Sequence, residues 1–225
     1  MPRIIILFIS LFVFCGYAKS QSSYCDSDVP TFLVDLRGNP DSTYTTPDVE
    51  RDGKCCDAAK NAPCVQFEIY LDKDAQAIQF DVCVGAKPSG ALYYQIDCGV
   101  KTPVGDPLCL EGEGPFYLTF CKPGKNDNVY CIKSLPRPVA GPDITLQEGC
   151  GDSLTSVGFS NENVSWTSIF PGNQGDYDYL LNCTFQCPNV EFVADGILPD
   201  YIDYTVCGYN IGGCDPLYVC DTVRV

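Results

Sequence analysis

Between residues 64 and 99, apolar and polar side chains alternate in three successive runs. Val65, Phe67, Ile69 and Leu71 interleave with Gln66, Glu68 and Tyr70. Ile78, Phe80, Val82 and Val84 interleave with Gln79, Asp81 and Cys83, and Leu92, Tyr94 and Ile96 with Tyr93, Gln95 and Asp97. A period of two belongs to a strand with one dry and one wet face, and the i, i+3, i+4 spacing of an amphipathic helix is missing. Residues 72–75 and 85–90, the latter containing Lys87-Pro88-Ser89-Gly90, carry turn chemistry. The three runs therefore predict an antiparallel meander. Its dry face must be covered, which a second sheet does, so the expected class is all-β and the expected architecture a β-sandwich.

The compartment is read from the N-terminus. Arg3 precedes the run IIILFISLFVF, too short to span a bilayer, and Gly16, Ala18 and Ser20 follow. This predicts a secretory signal peptide over residues 1–20, cut after Ala18 or Ser20. A lipoprotein anchor at Cys15 would want a small residue before the cysteine, and Phe14 stands there. No other stretch is apolar for long enough to cross a membrane. The expected localisation is secreted, extracellular or cell-surface, without membrane insertion.

Export changes the meaning of the cysteines. Of sixteen, Cys15 leaves with the signal peptide. The disulfide candidates are then Cys25, Cys55, Cys56, Cys64, Cys83, Cys98, Cys109, Cys121, Cys131, Cys150, Cys183, Cys187, Cys207, Cys214 and Cys220. Each bridge typically adds roughly 2–4 kcal/mol by restricting the unfolded chain. Their number is odd, so one is free, pairs with another chain, or has its partner beyond Val225. The sequence does not fix the connectivity.

The remaining chain divides near Pro136 and Pro138, which cannot donate to a ladder and stiffen the backbone. Residues 21–135 read as a cysteine-rich β-sandwich. A strand at 32–36 stops at Gly38-Asn39-Pro40, a loop pinned by disulfides fills 41–63, and a second loop fills 101–114. Strands at 116–120 and 129–133 flank the turn 122–128. Residues 136–225 restart with about seven short runs, at 144–146, 154–159, 164–170, 177–185, 190–194, 201–209 and 218–225. Their density is that of an immunoglobulin-like sandwich, and the boundary predicts that residues 138–225 fold on their own.

The second half also carries a resemblance. PVAGPDITLQEGCGDSL (138–154) resembles the opening of a polycystic-kidney-disease (PKD) domain. YIDYTVCGYNIGGCDPLYVCDTVRV (201–225) is similar to the closing strands of such repeats, and Trp166 falls where they place a core aromatic. The extra cysteines make the likeness PKD-like rather than PKD proper. Cysteine-rich β-domains followed by PKD-like repeats resemble the N-terminal part of large surface adhesins or secreted multidomain proteins of gliding bacteria. The resemblance implies cell adhesion, neighbouring β-domains as partners and a C-terminal sorting module. No such module follows DTVRV, so a segment of a longer protein is expected.

Little points to covalent chemistry. There is no histidine, which removes Ser-His-Asp and Cys-His sites and histidine-bound metals. Cys55-Cys56 and the Cys183/Cys187 pair read as disulfides rather than zinc ligands in an oxidising compartment. No motif singles out a pair of facing carboxylates for glycoside hydrolysis. Asp72/Asp74, Asp176/Asp178 and Asp200/Asp203 are turn residues whose only cofactor reading is calcium, without EF-hand spacing. The net charge is −15; losing Arg3 and Lys19 leaves 12 basic against 29 acidic residues, near −17. That opposes nucleic acid and anionic membranes as partners. Asn163-Val164-Ser165 and Asn182-Cys183-Thr184 are N-glycosylation sequons, and Tyr93, Tyr177, Tyr179 and Tyr201 are candidate contact residues for a glycan or protein. The expectation is therefore a non-catalytic structural and adhesion segment, with a stand-alone secreted glycan- or protein-binding protein as the alternative.

Overall fold

The computed structural model describes residues 24–84, 91–147 and 149–225. The predicted signal peptide and the expected turn at 85–90 lie outside the described residues. The described chain is all-β apart from one 3-10 turn. The first half contains β1 (Thr31–Leu36), β2 (Thr43–Thr45), β3 (Cys64–Leu71), β4 (Ala75–Val84), β5 (Tyr93–Ile96), β6 (Thr102–Pro103), β7 (Pro107–Cys109), β8 (Phe116–Cys121) and β9 (Val129–Pro136). The second contains β10 (Val139–Ala140), β11 (Gly151–Val157), β12 (Ser165–Phe170), β13 (Asn189–Val193), β14 (Asp203–Tyr209) and β15 (Tyr218–Arg224).

In the first half a five-stranded sheet, ordered β1-β3-β8-β5-β6, packs on a four-stranded sheet, ordered β2-β9-β4-β7. The alternating residues meet where the two dry faces touch. Phe67 of β3 and Phe120 of β8 face Phe80 of β4 and Tyr130 of β9, with ring centroids 5.2 to 5.8 Å apart. Val65, Ile69, Ile78, Leu118 and Ile132 complete the fully buried interior.

The expected meander is replaced by a different path. β3 pairs with β1, in parallel, and with β8; β4 pairs with β7 and β9; β5 pairs with β6 and β8. The three strands of the expected meander, β3, β4 and β5, thus alternate between the two sheets instead of pairing with each other. Alternation fixes which face of a strand is dry but not which strand lies beside it. Pieces of the expected loops also pair: β2 joins β9, β6 joins β5 and β7 joins β4.

In the second half a β10-β11-β13 sheet and a β12-β14-β15 sheet enclose a separate core. Leu154, Val190 and Phe192 come from one sheet, and Trp166, Tyr204, Val206 and Val223 from the other. The Trp166 indole N–H donates to the Cys187 carbonyl (2.9 Å), so the one polar atom of this buried ring is satisfied. Two expected strands are not formed. Residues 144–146 are irregular, and 177–185 holds the 3-10 turn Asp178–Leu180. The Asp178 carboxylate accepts from the Ser168 amide (2.6 Å) and the Thr167 hydroxyl (3.1 Å), tying this segment to β12 as a side-chain-anchored turn.

Candidate binding cleft and the joint between the halves

Fourteen of the fifteen candidate cysteines pair in the structure. Cys25–Cys55, Cys56–Cys98, Cys64–Cys121 and Cys83–Cys131 staple the first half, and Cys183–Cys187 and Cys207–Cys220 the second. Register explains two of them directly. Cys64 stands opposite Cys121 across β3 and β8, and Cys207 opposite Cys220 across β14 and β15, with Cα atoms 4.1 Å apart in each. The Cys55, Cys64 and Cys121 sulfurs lie within 4.8 Å of one another. They belong to two adjacent bridges, and a bridged sulfur has no thiolate to offer a metal. Cys150 is the correction to the candidate set: it is exposed and unpaired among the described residues.

The seventh bridge, Cys109–Cys214, spans 105 residues and joins β7 of the first half to the loop before β15 of the second. Around it Gln76 and Asn210 exchange side-chain amide hydrogen bonds of 2.5 and 3.1 Å. Asn210 also donates to the Cys214 carbonyl (3.0 Å) and accepts from the Gly212 amide (2.8 Å). Ala77 and Leu135 pack against Cys214, and Gly212 lies against Gln76 and Ala77, where a Cβ would crowd both. At the connecting chain, Gly158 has φ +78° with its missing Cβ aimed at the Arg137 carbonyl, so only glycine fits there. Residues 138–225 are therefore bolted to residues 24–136 by a covalent bond and a closed amide pair. Gln76 and Asn210 carried no sequence signal, because a pairing across 134 residues leaves no local pattern.

The second half carries a cleft of ≈ 550 Å³ beside the end of β15. Phe192 and Ile202 form its buried base, and Ile197 stands on its rim fully exposed. Its wall at 144–147 is held by the Ile144 amide, which donates to the Arg224 carbonyl (2.9 Å). At its mouth Phe170 stacks on Tyr201 (5.1 Å between centroids), and the Arg224 guanidinium sits 4.1 Å over the Tyr201 ring. Asp203 clamps that guanidinium through both carboxylate oxygens, at 2.7 and 3.0 Å, and raises its already high pKa. Among the described residues, Asp200 is the one side-chain carboxylate lining the cleft.

The other singled-out residues are scattered. Asp72 caps the Gly38 and Asp74 amides, Asp176 caps the Asn173 amide and Asp178 holds β12. Each named carboxylate but Asp200 thus serves a turn or an ion pair; Asp74 pairs with Lys73 and Asp203 with Arg224. Tyr201 lines the cleft and Tyr177 leans on Tyr179, whereas Tyr93 stands on β5 in the first half. Asn163 lies exposed in the turn before β12. Asn182 is exposed too, but its side-chain oxygen accepts from the Glu191 amide (2.9 Å). No helix among the described residues is long and apolar enough to cross a membrane, and seven disulfides fit an oxidising compartment. No family model, characterised protein or solved structure matches this chain.

Proposed function

We propose that this chain is an exported, non-catalytic structural and adhesion segment of a cell-surface or multidomain secreted protein. In this reading residues 21–135 form a cysteine-rich sandwich and residues 136–225 a PKD-like, immunoglobulin-like repeat. The observation that carries it is the Cys109–Cys214 joint with its Gln76–Asn210 amide pair, which makes one stiff body of two sandwiches. A flexible binding pair would want a mobile linker there, and an enzyme would want converging acid–base groups. The PKD-like assignment is supported by Trp166 in the second core and by the pairing of β14 with β15, the segment that resembles the closing strands of such repeats.

The test is location and blocking. Antibodies raised against residues 24–225 should label intact cells of the source organism, and their Fab fragments should reduce attachment to a surface. Labelling only after permeabilisation would overturn the reading. The cleft beside β15 favours a second reading, a secreted protein that binds a glycan or protein on its own. A glycan array probed with the mature chain separates the two, since the adhesion reading places its contacts at loops and sheet edges rather than in that cleft. Binding abolished by filling the cleft, as with Ala194→Trp, supports the second.

A further inference from the structure

The most unusual electrostatic feature lies away from the cleft. Arg51 is completely buried and Lys122 is 3% exposed, in a chain rich in acids. The backbone explains why they meet. Val49 pairs with Asn128 and Asp52 with Cys64, which threads residue 51 beneath the 122–128 turn. The Lys122 amide donates to the Pro63 carbonyl (3.3 Å), setting it on the same side of the sandwich. The Arg51 Nη1 group donates to the Tyr130 hydroxyl (2.7 Å) and the Asn126 carbonyl (3.3 Å), and Nη2 to the Gly124 carbonyl (2.6 Å). The Lys122 ammonium donates to the Asn128 side-chain oxygen (3.2 Å).

The acceptors run out before the donors. A guanidinium has five N–H groups and an ammonium three. Among the described residues the Arg51 Nε–H is buried with no hydrogen-bond partner, while Nη2 and the ammonium have one acceptor each. Among the described residues no carboxylate forms an ion pair with either. Asp52, the adjacent acid, faces outward and pairs with Lys125 (2.7 Å). Buried charge is expensive unless paired, and arginine does not shed its proton. Burial and the neighbouring Arg51 charge push Lys122 below the usual lysine range, so the pocket is short of negative charge.

We propose that Arg51 and Lys122 together hold one small monovalent anion, of the halide class, beneath the 122–128 turn. The free donors demand a ligand that only accepts. The Phe120 ring, 6.0 Å from the guanidinium carbon, and the Tyr130 ring supply apolar walls. The Gly124, Asn126 and Asn128 oxygens already accept from the two cations, so the remaining donors call for a single negative charge rather than a multiply charged oxyanion. The anion would fasten the turn to the 49–52 segment of the first sandwich, since one ligand, Lys122, opens the turn and the other, Arg51, comes from that segment.

The experiment uses the mature, oxidised chain. Crystals grown in sodium bromide should show an anomalous peak within hydrogen-bonding distance of Arg51 Nε and Lys122 Nζ. Thermal melts at matched ionic strength should rise in chloride or bromide relative to gluconate, with acetate as a carboxylate control. Lys122→Met removes one donor group without opening the Arg51 shell, and should weaken apparent bromide affinity about tenfold or more. A wild-type crystal without the anomalous peak overturns the proposal, as does stabilisation by acetate but not halide. Unchanged halide dependence in Lys122→Met overturns it equally.

Discussion

Removing the joint is the sharpest perturbation available. In the double variant Cys109→Ser, Cys214→Ser the other six bridges remain, and only the disulfide between the halves is lost. The magnitude follows from the loop it closes. Cys109 and Cys214 are 105 residues apart, and the only other bridge that shortens the path between them is Cys183–Cys187, by about three residues. Closing a loop of that length restricts the unfolded chain by about 4.7 kcal/mol, whereas the four-residue Cys183–Cys187 loop gives only about 2 kcal/mol. At about 2–4 °C per kcal/mol for a chain of this size, the double variant should melt roughly 10–18 °C lower. Scanning calorimetry without reductant is the assay, with Cys183→Ser, Cys187→Ser as the comparison. The variant should also lose its single transition, because the Gln76–Asn210 pair and a small apolar contact are what remain between the cores. A double variant that melts as one transition within about 2 °C of the parent would refute the reasoning, since the loop entropy would then be absent.

Three further outcomes follow from the geometry. Trp166→Ala should cost about 3–5 kcal/mol by emptying the centre of the second core and orphaning the Cys187 carbonyl, measured by urea unfolding of the oxidised chain. Asp178→Ala should cost about 1–3 kcal/mol, because the Ser168 amide loses its acceptor beside β12; Asp178→Asn should recover part of it. The Asp35 carboxyl, bonded by the Arg37 guanidinium, is lowered to about 2. Its folded pKa lies below its unfolded one, so its contribution is present above about pH 4 and is lost as the pH falls toward 2. A carbon-detected NMR titration of the carboxyl checks this, and a midpoint near 4 would refute it.

Much of the element list was legible in the sequence. The runs at 65–71, 78–84 and 92–96 became β3, β4 and β5, and those at 190–194 and 201–209 became β13 and β14. Each has a dry face dense enough to specify extended chain. Pairing was not legible, because Val65 and Ile78 look alike whichever sheet they enter. The 177–185 run misled because Tyr177, Leu180 and Leu181 are apolar for the second core while Asp178 bends the chain between them. The sequence offered the cysteines but no pairing, and parity alone foretold an odd one, which is Cys150. The cleft was foreshadowed only by Asp200 and Tyr201. Arg51 lies between Glu50 and Asp52 in the 41–63 loop, and nothing in the local sequence marks it as buried.

The order of the bridges has a tensile consequence. Pull on Cys25 and Val225, and the covalent route runs through Cys25–Cys55, the adjacent Cys56–Cys98, residues 98–109, Cys109–Cys214 and residues 214–225. Only two eleven-residue stretches on that route can pay out, roughly 75 Å of extended chain where an uncrosslinked polypeptide of this length would yield about 700 Å. Most of the first sandwich hangs outside the line of force, while β15 lies on it, so a chain crosslinked this way goes taut early and yields its second core at that strand first.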